Sequence, residues 1–159
     1  MTRLRGRALR GARLFDHTPH GHWCTTTLIS SIRFDGTSTC MAVDGPTDRD
    51  VFREYVRNVL APSLRPGDIV ILDNLNAHED AETRTLIEAR QAQLQFLPPY
   101  SPDLNPIEKM WSKVKAFLRA AKARTQEDLY DAIGQALKRV GSSDARGWFF
   151  SCGYTASQP

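Results

Sequence analysis

Between residues 25 and 43, two runs of apolar and small polar residues, 25–34 and 38–43, meet at Asp35-Gly36. Runs of this length joined by an Asp-Gly pair predict two strands and a tight hairpin turn. Asp44-Gly45-Pro46 stops the second strand. Thr47, with Asp50 three residues on, reads as a helix cap, and Phe52, Tyr55, Val56, Val59 and Leu60 follow at helical spacing until Pro62. A turn at Arg65-Pro66-Gly67-Asp68 leads into Ile69-Val70-Ile71-Leu72. Four consecutive apolar residues without alternation predict a strand covered on both faces, as in a mixed or parallel sheet. A helix over about 79–90 and a strand over 93–97 come next. Asn105 then caps a helix with Pro106 at its first position and Ile107, Met110, Trp111, Val114 and Leu118 as its apolar stripe. Thr125 and Asp128 open a last helix striped by Leu129, Ile133, Leu137 and Val140. The order β-β-α-β-α-β-α-α is that of an α/β domain with a mixed sheet flanked by helices.

A chain of 159 residues has enough length for one core of ordinary composition, so 1–159 is read as a single domain. Within it, 1–24 is a basic arm, 25–140 the α/β core and 141–159 a C-terminal tail. The net charge is only +3, but its distribution is uneven. Arg3, Arg5, Arg7, Arg10 and Arg13 all precede the first acid, Asp16, and a second basic run holds Lys109, Lys113, Lys115, Arg119, Lys122 and Arg124. Such clusters either neutralise phosphates or form a solvated arm. Cys24, Cys40 and Cys152 are odd in number and far apart, which predicts free thiols in a reducing, cytoplasmic compartment rather than a disulfide framework. No apolar run reaches membrane-spanning length, so no membrane role is expected.

The first candidate chemistry lies in Ile71-Leu72-Asp73-Asn74-Leu75-Asn76-Ala77-His78. Asp73 stands just outside the carboxyl end of a buried strand, where open α/β sheets place ligands. Asp73, Asn74 and Asn76 also suit an ordinary turn and helix cap. Glu108 is the third helical residue if Asn105 is the cap, a place where the helix dipole favours negative charge. Asn-x-x-Glu equally describes a capping box that would turn Glu108 back to the N–H of the cap. Two carboxylates, one at a strand end and one at a helix start, are hard oxygen ligands suited to Mg²⁺. Phosphodiester chemistry commonly uses a pair of such ions, for which two acids are too few. His17, His20, His22 and Cys24 match no common zinc spacing, and Trp111, Trp148 and Phe149 read as packing residues.

Asp73-Asn74-Leu75-Asn76-Ala77-His78, followed by Leu97-Pro98-Pro99-Tyr100-Ser101-Pro102-Asp103-Leu104-Asn105-Pro106-Ile107-Glu108, resembles the signature of DDE transposases of the mariner-like insertion-sequence superfamily. The resemblance extends from the arginine arm to the closing Gly147-Trp148-Phe149-Phe150. It implies a ribonuclease H-like catalytic domain, with Asp73 as the second catalytic acid and metal ligand and Glu108 as the third, with thirty-four residues between them. Asn74, His78 and Asn105 match supporting positions, His78 as a phosphate contact or a structural hydrogen-bonding partner. The implied reaction is Mg²⁺-dependent (or Mn²⁺-dependent) cleavage of DNA and transfer of its 3′-hydroxyl end, with no covalent enzyme intermediate. Transposon ends and target DNA are the implied partners, a homodimer the implied assembly, and no small-molecule substrate is expected. Arg3, Arg5, Arg7, Arg10, Lys109, Lys113, Lys115 and Arg119 are the candidate DNA contacts.

The pattern also has a gap. The first acid of the family's triad has no counterpart here, since Asp16, Asp35 and Asp44 fall in the wrong places. In a ribonuclease H-like sheet that acid lies on the central strand, between the hairpin and the strand ending at Asp73. The expectation is therefore an N-terminally incomplete domain lacking its first strand, inactive alone, with open strand edges. The rival expectation is a non-enzymatic transposase remnant that binds DNA or dimerises. No helix-turn-helix segment is legible, so DNA contact is expected to be phosphate-mediated and salt-sensitive.

Overall fold

The computed structural model describes residues 7–13, 15, 25–73 and 80–155. The hairpin forms as the Asp35-Gly36 pair predicts, from β1 (Thr26–Ile32) and β2 (Ser38–Asp44) in antiparallel register, Thr26 opposite Asp44 and Ile32 opposite Ser38. The turn is closed by the Arg33 N–H donating to the Thr37 carbonyl at 2.8 Å. Gly36 takes φ +91°, and a Cβ there would lie 2.9 Å from the Ser142 backbone nitrogen, so both conformation and space require glycine.

The next helix, α1 (Arg49–Tyr55), starts one residue later than a Thr47 cap would place it. Asp48 wins the cap because its carboxylate accepts from the Val51 N–H at 2.9 Å. The helix continues as a π-helical segment, Val56–Leu60, and a final turn, α2 (Ala61–Ser63), that carries Pro62 inside it. Then come β3 (Ile69–Leu72), α3 (Ala81–Glu88) capped by Asp80, and β4 (Gln93–Phe96), which pairs parallel with β3. A short 3₁₀ turn, Pro102–Leu104, precedes α4 (Pro106–Ala121), followed by α5 (Gln126–Lys138) with the expected Thr125/Asp128 capping box.

The tail departs from expectation. Residues read only as a C-terminal tail form a further helix, α6 (Ser142–Ser151), whose N-terminus is held by the Asp144 carboxylate accepting from the Gly141 N–H at 2.9 Å. Its weak amphipathic pattern hid it, because it is fixed by aromatic contacts rather than by a broad apolar stripe. Phe149 and Phe150 meet Phe34 edge-on at 5.6 and 5.5 Å.

Helices cover both faces of the strands. On one side Phe52, Tyr55, Val56, Leu60 and Ile87 form a buried cluster against Ile29 of β1 and Val70 and Leu72 of β3. On the other, Met110, Val114, Leu118 and Ile133 of α4 and α5 pack against Leu28 and Ile32 of β1. The alternation of Leu28 and Ile29 between two cores is the strand period acting on a sheet covered twice. The mixed sheet, expected without its central strand, consists among the described residues of two two-stranded sheets, β1-β2 and β3-β4. No backbone hydrogen bonds join them among the described residues. No helix among the described residues is long and apolar enough to cross a membrane.

Candidate active site

β3 delivers Asp73 one residue past its last paired position, Leu72, whose carbonyl accepts from the Leu97 N–H at 2.8 Å. The ladder thus fixes the backbone immediately before the acid, and Asp73 Oδ1 is withdrawn from solvent. Glu108 arrives from the opposite layer. Its helix starts where Asn105, in an extended conformation, accepts from the Ile107 N–H through its side chain at 3.4 Å, with Pro106 pre-set at the first position.

The capping-box alternative for Glu108 is not realised. The Asn105 N–H that such a box would engage donates instead to the Pro102 carbonyl at 3.1 Å, inside the 3₁₀ turn. Glu108 is exposed, and its carboxylate is left to the cavity that it borders. That cavity, of about 700 Å³, is lined by both Asp73 and Glu108, with Asn105 beside them. The fold therefore brings three of the predicted residues, Asp73, Asn105 and Glu108, to one space, although 34 residues lie between the two acids in sequence.

The tail braces this end of α4, which sequence reasoning missed. The Tyr154 hydroxyl donates to the Leu104 carbonyl at 2.9 Å, and Tyr154 packs edge-on against Phe149 at 5.8 Å. Lys109 donates to the Ser151 hydroxyl. Lys113 donates to the Arg139 carbonyl at 2.8 Å and to Asp144 at 2.5 Å, and this ammonium holds the Asp144 carboxyl below its usual range. Of the predicted basic contacts, Lys109 and Lys113 are thus engaged in tying α4 to α6, whereas Lys115 and Arg119 stand exposed on α4 and Arg7 and Arg10 on the arm. Arg3, Arg5, Asn74 and His78 lie outside the described residues, as do Asp16 and the histidines of the arm.

A second feature that pattern reading missed is a clasp at the far end of the cavity. Arg33, just past β1, makes a two-pronged pair with Asp68, just before β3, at 2.8 and 2.6 Å. The guanidinium, and secondarily the Arg65 N–H, hold the Asp68 carboxyl below its usual range. Of the three acids considered as substitutes for the first, the two among the described residues are engaged in other contacts. Asp44 accepts from the Tyr130 hydroxyl at 2.8 Å and from Gln126 at 2.7 Å, and Asp35 accepts from the Thr37 N–H in the hairpin turn.

Asp73 and Glu108 offer the hard oxygen donors that a divalent cation such as Mg²⁺ prefers, so the donor chemistry fits. Among the described residues, no group of three or more Asp, Glu, His or Cys side chains converges as a full metal site would require.

This combination of an α/β domain and a strand-end acid paired with a helix-start acid agrees with the sequence comparisons. The profile of the DDE superfamily endonuclease family matches residues 1–130, and the chain belongs to that family. Over most of its length it is distantly similar to transposases of the Tc1 and mariner type. It is 29% identical over 116 residues to the Tcb2 transposase of Caenorhabditis briggsae, covering 69% of this chain and 42% of that protein. It is 26% identical over 115 residues to the Tc1 transposase of Caenorhabditis elegans, covering 67% of this chain and 42% of that protein. The chain thus spans less than half the length of these relatives.

Proposed function

We propose that this chain is the catalytic-domain portion of a transposase that cleaves and joins DNA, holding two of the three acids that the reaction needs. The observation that carries the reading is the meeting of Asp73 and Glu108 at one cavity. The two sheets are, on this reading, halves of one ribonuclease H-like mixed sheet whose central strand, bearing the first acid, is not among the described residues. Asp73 and Glu108 would hold Mg²⁺ or Mn²⁺, which supplies the positive charge that phosphodiester cleavage requires. Asn105 keeps Glu108 at the cavity by setting where α4 begins. Lys115, Arg119, Arg7 and Arg10 are free to meet phosphates and to orient the duplex. The chain works on DNA in the cytoplasm, as a homodimer that brings two ends together.

The test is Mn²⁺ titration of the whole chain followed by paramagnetic resonance, with DNA binding measured alongside. Asp73→Asn or Glu108→Gln should each weaken Mn²⁺ binding at least tenfold and leave DNA binding intact. Metal binding indifferent to both substitutions would sink the catalytic reading. A second reading, a DNA-binding remnant without catalysis, is favoured by the lack of a third converging acid among the described residues. Mg²⁺-dependent nicking of supercoiled DNA by this chain, lost in Asp73→Asn, would exclude it.

A further inference from the structure

The residues that lead into α4 have few backbone donors of their own. Between Leu97 and Glu108, Pro98, Pro99, Pro102 and Pro106 carry no N–H. The Leu104 and Asn105 N–H groups bond inside the 3₁₀ turn, to the Ser101 and Pro102 carbonyls. Tyr100 takes φ +58° with its side chain fully exposed, a left-handed conformation that a tyrosine keeps only where the surrounding structure holds the chain. Yet Glu108 takes its place from this segment. Its N–H donates to the Asn105 carbonyl at 3.2 Å, and Asn105 follows Leu104 directly.

The hold comes from the tail. The end of α6 is closed by a Schellman turn, in which the Gly153 N–H donates to the Phe150 carbonyl and the Tyr154 N–H to the Phe149 carbonyl, both at 3.0 Å, with Gly153 at φ +88°. That turn sends Tyr154 back over Phe149, and the edge-on contact of the two rings is the apolar contact that such a turn favours. The ring is thus fixed from two sides before its hydroxyl donates to the Leu104 carbonyl. Three ties follow one another in opposite chain directions, Tyr154 to Leu104, Ser151 to Lys109 and Asp144 to Lys113, so α6 lies antiparallel along the turn and the first half of α4. Phe149 also reaches the wall of the cavity that Asn105 and Glu108 border.

We infer that Tyr154 is a positioning residue for Glu108, acting through the Leu104 carbonyl to fix where α4 begins and hence where its carboxylate stands at the cavity. The inference rests on the reading of Asp73 and Glu108 as metal ligands. It adds to that reading a determinant past residue 130, beyond the stretch matched to the family.

The whole chain is compared with Tyr154→Phe, which removes the hydroxyl and keeps the ring against Phe149. The control is Tyr130→Phe, which removes a hydroxyl bond to Asp44 between residues that do not line the cavity. Without metal, amide exchange at Ile107 and Glu108 should quicken about fivefold in Tyr154→Phe, the size of one lost hydrogen bond, and stay unchanged in Tyr130→Phe. Mn²⁺ affinity, read by paramagnetic resonance, should fall about threefold or more in Tyr154→Phe, but no further when that change is added to Glu108→Gln. Unchanged exchange at Ile107 and Glu108, or exchange quickened equally along all of α4, would overturn the brace. An equal loss of Mn²⁺ affinity with and without the Glu108 carboxylate would overturn the positioning role, because the hydroxyl would then act by another route. Mn²⁺ binding by the parent chain that ignores Glu108→Gln instead defeats the metal reading, and the exchange rates then decide the brace by themselves.

Discussion

Asp68→Ala removes more than one surface charge, and its cost follows from the contacts. The carboxylate accepts two bonds from Arg33, at 2.8 and 2.6 Å, and one from the Arg65 N–H at 2.7 Å. The paired side chains are 24% and 20% exposed, between the fully buried and the solvated cases. An exposed pair contributes roughly 0–1 kcal/mol and breaking a buried one costs roughly 3–5 kcal/mol, so a loss of about 2–3 kcal/mol is expected here. In a domain of this size that lowers the melting temperature by about 5–10 °C. Urea unfolding followed by circular dichroism, on Arg33→Ala, Asp68→Ala and the double variant, measures it. The coupling energy should be about 1.5 kcal/mol or more, given two charge-assisted bonds in fixed geometry. Coupling below about 0.5 kcal/mol would mean that the clasp does not hold the end of β1 against the start of β3.

The same pair sets a pH dependence. Because the folded Asp68 carboxyl is held below its ordinary value of 3.8, its stabilisation is fully present above that value and is lost as pH falls through the depressed one. Unfolding free energy should therefore drop between about pH 4 and pH 2 by less in Asp68→Asn than in the parent chain, and equal slopes would refute the assignment. Asn105→Ala should cost about 1 kcal/mol through loss of the cap and weaken Mn²⁺ binding several-fold by loosening the start of α4, read by thermal melts and resonance titration. Gly36→Ala should cost at least about 1–2 kcal/mol from the left-handed backbone alone, with more from the contact with Ser142, and a neutral melt would contradict the turn geometry. Lys115→Ala and Arg119→Ala should each weaken DNA binding across all sequences and lower the salt slope by about 0.9 for each phosphate no longer neutralised, whereas a sequence-dependent loss would point to base reading instead.

Local chemistry made much of this molecule legible without coordinates. The Asp-Gly turn, the unalternating Ile69–Leu72 run, the Asn105-Pro106 start and the Thr125/Asp128 box each act over a few residues, and each appears where the sequence places it. So does the class, because Asp73 and Glu108 carry a pattern of acids and prolines that short-range reading can recognise. Other features depend on partners remote in the chain. Glu108 is not held by a capping box because Pro102, through its carbonyl, takes the Asn105 N–H first. The last helix forms where no stripe announces it because Phe34, Lys113 and Leu104 supply its contacts and those of the residues after it. Arg33 and Asp68, two ordinary charges among many, become a clasp only when β1 and β3 are brought alongside. Propensity and periodicity decide which segments become strands and helices, but a hydrogen-bonding edge is satisfied or left open only by what lies beside it in space. Most of the elements and the two acids therefore follow from the order of residues along the chain, whereas the last helix, the freeing of Glu108 from its cap and the Arg33–Asp68 clasp follow from packing in three dimensions.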